Sequence, residues 1–145
     1  MKRKFIISMV LIAVLLKNIY AVNENDDIKK LTKQYIEYNK TIELNQEQKK
    51  IKKNALTKIP APCCSENTIE TCCCPCNLAK SVWGLSKYLI AKKNYNEEQL
   101  KKAVLEWIKR VNPEGYEGTS CKTGKCDLPF KHDGCGGMKE KKLKF

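Results

Sequence analysis

Six of the chain's nine cysteines fall within one short stretch, as Cys63, Cys64, Cys72, Cys73, Cys74 and Cys76. The other three, Cys121, Cys126 and Cys135, sit in a glycine-rich segment near the C-terminus. A thiol staples a fold, binds a soft metal or exchanges electrons, so this distribution turns the chemistry of the chain towards sulfur. Little else competes. His132 is the sole histidine, and there is no phosphate-binding loop, no Ser-His-Asp set and no paired-carboxylate motif.

The compartment decides what thiols do. The chain begins Met1-Lys2-Arg3-Lys4 and then runs apolar from Phe5 to Leu16. A basic start before a short apolar run fits a secretory signal peptide and falls short of the roughly 20 residues a membrane-spanning helix needs. Cleavage is expected after Ala21, with an uncleaved N-terminal anchor as the alternative. No cysteine follows the apolar run, which argues against a lipoprotein anchor. The expected location is therefore periplasmic or secreted, touching the membrane only through an uncleaved leading segment. Removal of residues 1–21 leaves 124 of the 145 residues, enough for one domain with a modest core. Disulfides are the default state of cysteine in an oxidising space, and an odd count leaves one thiol over or pairs it between chains.

The net charge of +12 includes Lys2, Arg3, Lys4 and Lys17, so the mature part carries about +8. Its lysines are spread along the helices and a basic tail at residues 139–145. Nucleic-acid binding calls for clustered cations with aromatic platforms, and no such clustering is present. No nucleic-acid partner is expected; a metal-handling or redox protein is the partner class that the cysteines suggest.

Periodicity predicts helices. Ile28, Leu31, Tyr35, Tyr38 and Ile42 recur at spacings of three and four, one face of an amphipathic helix. Asn45 with Gln48 matches a capping box opening a helix from about Gln46 to Leu56, which Pro60-Ala61-Pro62 closes. The cysteine segment 63–76 has no strand alternation. Beyond it, Asn77 is placed to cap a helix carrying Leu78, Val82, Leu85 and Leu89, with Asn94 as its stop. Asn96 and Gln99 form a second capping box before a helix presenting Leu100, Val104, Trp107 and Val111, closed by Asn112-Pro113. So short a connection predicts a helical hairpin, and both Trp83 and Trp107 are expected to pack in the core. From Glu114 to Met138 the chain holds six of its seven glycines and shows no period. Such a segment buries too little apolar surface to order itself, so its three cysteines are expected to be bonded to something.

The fold expected is all-α: a small bundle of three to four helices with a Cys-rich turn and an irregular Cys/Gly-rich C-terminal segment. The chain divides into the signal segment 1–21, an N-terminal helical segment 22–59, a Cys-rich helical-hairpin domain 60–138 and the tail 139–145. The strongest local signal is Cys72-Cys73-Cys74-Pro75-Cys76-Asn77 at a helix start. Unpaired N–H groups and the helix dipole lower a thiol pKa there, favouring metal binding and thiol exchange alike. The metal set read from the sequence is Cys72, Cys73, Cys74, Cys76, Cys121, Cys126 and Cys135, for copper(I) or zinc. Zinc favours two pairs about 12–20 residues apart, whereas Cys121 stands 45 residues beyond Cys76. Copper(I) suits two or three thiolates with a thioether; His132, Cys135 and Met138, spaced by three, offer N, S and S, against a solvated histidine and a packing methionine. Cys64 and Cys72 are spaced to close a small loop through Asn67 and Thr68. The alternative redox pair is Cys73 with Cys76, and a third reading is a disulfide-stapled interaction module without catalysis.

Two resemblances follow from these motifs. Pro62-Cys63-Cys64, Cys72 to Asn77 and Asp133 to Met138 resemble a set of exported bacterial Cys-rich proteins with a Pro-Cys-Cys start, a Cys-rich turn and an Asp-Gly-Cys-Gly-Gly-Met element. Cys74-Pro75-Cys76 ahead of two helices is more weakly similar to the periplasmic thiol reductases of cytochrome c maturation, whose two cysteines stand one residue further apart. The second resemblance implies a shared helical scaffold and thiol exchange.

Overall fold

The computed structural model describes residues 24–145; the expected signal segment lies outside the described residues. Helix α1 occupies residues 24–41. Helix α2 spans Gln46–Leu56, strands β1 and β2 span Pro60–Ala61 and Cys64–Thr68, and helices α3 and α4 span Asn77–Lys93 and Glu97–Val111. Three single 3-10 turns, Lys125–Asp127, Phe130–His132 and Glu140–Lys142, punctuate the remainder. Among the described residues no helix is long and apolar enough to cross a membrane.

Capping chemistry fixes the helix starts. In α2 the Asn45 side chain accepts from the Gln48 N–H while Gln48 reaches back to the Asn45 N–H, and Asn96 with Gln99 repeats the arrangement in α4. Asn94 ends α3 in the left-handed conformation, φ 55°, which asparagine adopts more readily than most residues. The expected apolar faces are the buried ones: Leu78, Val82, Leu85 and Leu89 on α3, and Leu100, Val104, Trp107 and Val111 on α4. On α1 the face is wider than its periodicity suggested, since Thr32 and Ile36 are buried beside Ile28. The Thr32 hydroxyl satisfies itself on the Ile28 carbonyl at 2.7 Å.

One core joins all four helices, with Ile28, Leu44, Leu56, Val82, Leu100 and Trp107 in a single cluster. The N-terminal helices therefore do not have a core of their own. Trp107 Nε1 donates to Ser81 Oγ at 3.0 Å and its ring meets Tyr35 edge-on at 5.0 Å. Trp83 Nε1 donates to the Ile69 carbonyl at 2.8 Å. Both tryptophans are thus packing residues with their polar atoms paired.

The architecture is mostly helical, but a two-stranded antiparallel sheet corrects the expectation of an all-α fold. Pro60 opposes Thr68 and Ala61 opposes Cys64, with an irregularity between Pro60 and Ala61. The strand escaped notice because Cys64–Thr68 lacks polar–apolar alternation. Its backbone pairs with β1 on one side, while Ser65 N–H reaches the Gly118 carbonyl at 2.8 Å, so hydrogen bonding rather than burial fixes its form.

The 139–145 segment is not a free tail. Lys144 N–H donates to the Gly136 carbonyl at 3.0 Å, Phe145 packs on Phe130 at 5.4 Å, and Glu140 joins Lys40 of α1 to Lys80 of α3.

Helices α1 and α3 approach closely at Gly84. A Cβ there would collide with the Tyr35 carbonyl and the Asn39 N–H of α1. Gly84→Ala must push α1 away from α3, and overpacking of this kind costs about 1–3 kcal/mol. The expected outcome is a lowered thermal midpoint with cysteine state unchanged, measured by circular dichroism on the reduced protein.

Candidate metal centre

Three stretches of chain deliver the sulfurs. The first is the turn at Pro62 and Cys63 that joins β1 to β2, with Cys64 opening β2. Cys63 faces Cys135 and Cys72, while Cys64 receives Asn67 Nδ2 at 3.3 Å and lies beside Cys73. The second is the turn before α3. Cys76 N–H bonds to the Cys74 carbonyl at 2.7 Å, a tight reversal over Pro75 that sends Cys74 and Cys76 to different groups of sulfurs. The third is the C-terminal segment, tied in by Cys121 N–H to the Cys63 carbonyl at 2.9 Å and Cys135 N–H to the Cys126 carbonyl at 3.1 Å.

Two helical N–H groups lock this segment to α3. Asn77 N–H donates to the Gly137 carbonyl at 2.9 Å and Leu78 N–H to the Cys135 carbonyl at 3.0 Å. These are among the orphan donors of a helix start. Sequence reading placed Asn77 as the cap; in the structure Cys76 is the N-cap residue and makes no side-chain cap bond. Asn77 is instead the first helical residue, fully buried, and its Nδ2 donates to the carbonyls of Gly136 at 2.9 Å and Lys139 at 3.2 Å. Gly136 has φ 73°, and a Cβ on it would strike the Phe130 ring, so glycine is required where the chain passes Cys135.

The sulfurs form two groups. The outer group is Cys73, Cys74 and Cys121, whose Sγ atoms all lie within 4.8 Å of one another. Cys74 to Cys121 is 3.4 Å, Cys73 to Cys74 3.6 Å and Cys73 to Cys121 3.9 Å. Cys73 is exposed and the other two are half-buried. Cys126 lies behind them, near Cys74, Cys121 and Cys135. The inner group is Cys63, Cys72, Cys76 and Cys135, in which Cys63 and Cys76 each face both Cys72 and Cys135. Cys63, Cys76 and Cys135 are at most 1% exposed. All nine cysteines are free thiols in the structure.

Protonation differs sharply between neighbours. The Cys63 and Cys76 thiols donate to Cys72, burial opposes them, and the Cys74 N–H adds a third donor; the net effect holds Cys72 down at about 3. Cys135 and the Ala79 N–H donate to Cys76, yet the charge settling on Cys72, together with burial, pushes Cys76 up to about 12. The helix N-terminus was expected to depress a thiol here, and the N-cap thiol is raised instead, because a neighbouring thiolate and loss of water outweigh the helix end. In the outer group Cys121 donates to Cys74, but burial and Cys73 push Cys74 up to about 11.

The seven cysteines read as metal ligands thus divide between two groups instead of forming one. Cys73, Cys74 and Cys121 come together in the outer group, Cys72, Cys76 and Cys135 in the inner, and Cys126 sits between. Cys63, which lies outside the ligand set the sequence points to, joins the inner group; its place after Pro62, beside Cys64, is the sole local signal for it. Cys73 and Cys76, the alternative redox pair, face different partners. Cys72 meets Cys63 rather than Cys64, so the loop through Asn67 and Thr68 is not closed by sulfur. His132 is exposed, and Met138 packs against the core.

Asn77 is the residue that joins both sulfur-bearing segments. Asn77→Ala should cost about 1–3 kcal/mol, the usual effect of stripping a buried group of its partner. Hydrogen exchange should then speed at the Asn77 and Leu78 amides before it speeds at the middle of α4.

No protein-family model matches the chain, and neither a curated protein nor a solved structure is similar to it.

Proposed function

We propose that the protein binds a thiophilic metal ion, copper(I) in the first place, through the outer trio Cys73, Cys74 and Cys121. The observation that carries this reading is the convergence of the three Sγ atoms within 4.8 Å, the span over which one ion can touch all three. Copper(I) is satisfied by two or three soft thiolates. The trio is open on the Cys73 side, and an open site lets an ion enter and leave, which suits carriage or transfer to a partner better than permanent storage. Zinc would need a fourth ligand, for which Cys126 is the nearest sulfur. An exported location, expected from the leading segment, would place this chemistry outside the cytoplasm.

Thiol–disulfide exchange is the second reading. Cys74 and Cys121 lie 3.4 Å apart beside exposed Cys73, so a bond between the first two could be attacked by the third. Exchange would require those thiols to cycle in the purified protein, whereas metal binding requires them to stay reduced.

Replacing all three with serine, C73S/C74S/C121S, should abolish the ultraviolet thiolate-to-copper band and the bound equivalent of copper(I), with helix content unchanged. Copper(I) bound equally by this variant would sink the proposal. Protons supply an independent check. The Cys73, Cys74 and Cys121 thiols are all held above their ordinary value, so all three are protonated near neutral pH and an entering ion must displace them. Metal uptake at pH 7 should release about three protons per ion, read with an indicator dye in weak buffer, and affinity should weaken as pH falls.

A further inference from the structure

The sulfurs of the outer trio are placed for a second reaction besides holding an ion. Cys74 and Cys121 Sγ stand 3.4 Å apart, the shortest of the three separations. A disulfide needs about 2.05 Å, so the remaining approach is within reach of side-chain rotation. The backbones are already held. Cys121 N–H is bonded to the Cys63 carbonyl at 2.9 Å, and the Cys121 carbonyl accepts from Gly124 N–H at 3.4 Å. The Cys74 carbonyl accepts from Cys76 N–H at 2.7 Å, just before Asn77 and Leu78 seat the turn on the C-terminal segment. Joining these two sulfurs calls for no refolding of either stretch.

The other two pairings are poorer. Cys73 and Cys74 are neighbours in the chain, and a bond between them closes a small, strained ring. Cys73 and Cys121 are the furthest apart, at 3.9 Å. Cys73 is also the exposed member, while Cys74 and Cys121 are half-buried. Exposure thus separates two roles: a sheltered pair that stores a bond, and an outer thiol that meets whatever arrives. The bond and the ion compete for the same atoms. A metal ligand must be a thiolate, and Cys73 alone does not supply the two or three thiolates that copper(I) takes. A disulfide between Cys74 and Cys121 therefore excludes the ion, and an ion on those sulfurs withholds them from an oxidant.

We propose that the outer site is redox-gated: a Cys74–Cys121 disulfide closes it, and reduction of that bond through Cys73 by an external thiol opens it for copper(I). The inference rests on the outer-trio reading and adds its regulation. Opening proceeds by thiol–disulfide exchange. The Cys73 thiolate attacks the Cys121 sulfur, the Cys74–Cys121 bond breaks, and Cys74 leaves and takes a proton. An external thiolate then attacks the exposed Cys73 sulfur, forming a mixed disulfide there and releasing Cys121, which is protonated in turn. A second external thiolate removes the first as a small disulfide and returns Cys73. Two external thiols are oxidised to one disulfide, and their two electrons and two protons end on Cys74 and Cys121. Closure is the reverse, with a small disulfide as oxidant. The free thiols of the structure are the open state. In the oxidising compartment expected from the leading segment the closed state is the resting one, so each ion taken up follows one such reduction.

The test uses the full chain, with oxidised and reduced glutathione as the redox probes and copper(I) supplied as its acetonitrile complex. Protein equilibrated with oxidised glutathione, then alkylated and digested, should yield a peptide pair joined through Cys74 and Cys121 with Cys73 outside the bond. It should take up one copper(I) fewer per chain than the reduced protein. Copper(I) loaded beforehand should slow formation of that bond at least about tenfold. C73S should form the same bond and hold it at the same equilibrium with the glutathione couple. It should lose the bond to reduced glutathione at least about tenfold more slowly, a separation of rate from equilibrium that a merely structural cysteine would not produce. Cys74 and Cys121 both alkylated after oxidation, or each bonded to another cysteine, overturns the gate and leaves the outer-site reading standing. C73S opening at the parent rate likewise overturns it. Copper(I) uptake by reduced protein no greater than by C73S/C74S/C121S removes the outer-site reading, and the gate with it, whatever the mapping shows.

Discussion

The first turn of α3 governs the arrangement of the sulfurs. Its N–H groups at Asn77 and Leu78 have no partners within the helix and find them on the carbonyls of Gly137 and Cys135. A buried helix start left unpaired would be costly, so the C-terminal segment is not an optional cover. Seating that backbone brings Cys135 over Cys76, and Asn77 adds two side-chain bonds to the same stretch. The cysteine turn and the glycine-rich segment, nearly sixty residues apart in sequence, become one unit through ordinary peptide hydrogen bonds.

Around that junction the chemistry is graded by depth. The inner sulfurs lie in the core with Phe130, Leu78 and Ile69, while the outer trio reaches solvent at Cys73. Water is the reason depth matters: a buried thiolate must be stabilised by N–H donors or a metal, whereas an exposed one is stabilised by solvent. The same residue type therefore meets two environments within one short turn. Pro75 makes the division possible, because the reversal from Cys74 to Cys76 directs neighbouring sulfurs to opposite sides.

Much of the scaffold was legible in advance. Both capping boxes, the apolar faces of α3 and α4 and the stop at Asn94 are local signals, decided within four or five residues, and each stands where the periodicity put it. The sites were less legible. That Cys73 and Cys76 separate and that Cys63 faces Cys72 depend on how the turns at Pro62 and Pro75 fold, and that Asn77 reaches across instead of capping its own helix depends on partners about sixty residues away. The short β pairing at Pro60–Thr68 is local, yet no polar–apolar alternation signals it, since its bonds and not its side chains define it.

The sequence by itself determined that this is a mostly helical, cysteine-rich chain, because helix periodicity, caps and residue type are properties of short windows. Only the tertiary structure decided how nine equivalent thiols divide into a buried group, an open trio and the remainder. That division is set by which backbone donors the glycine-rich segment satisfies and by how much water each sulfur loses, and neither is written in the spacing of the cysteines.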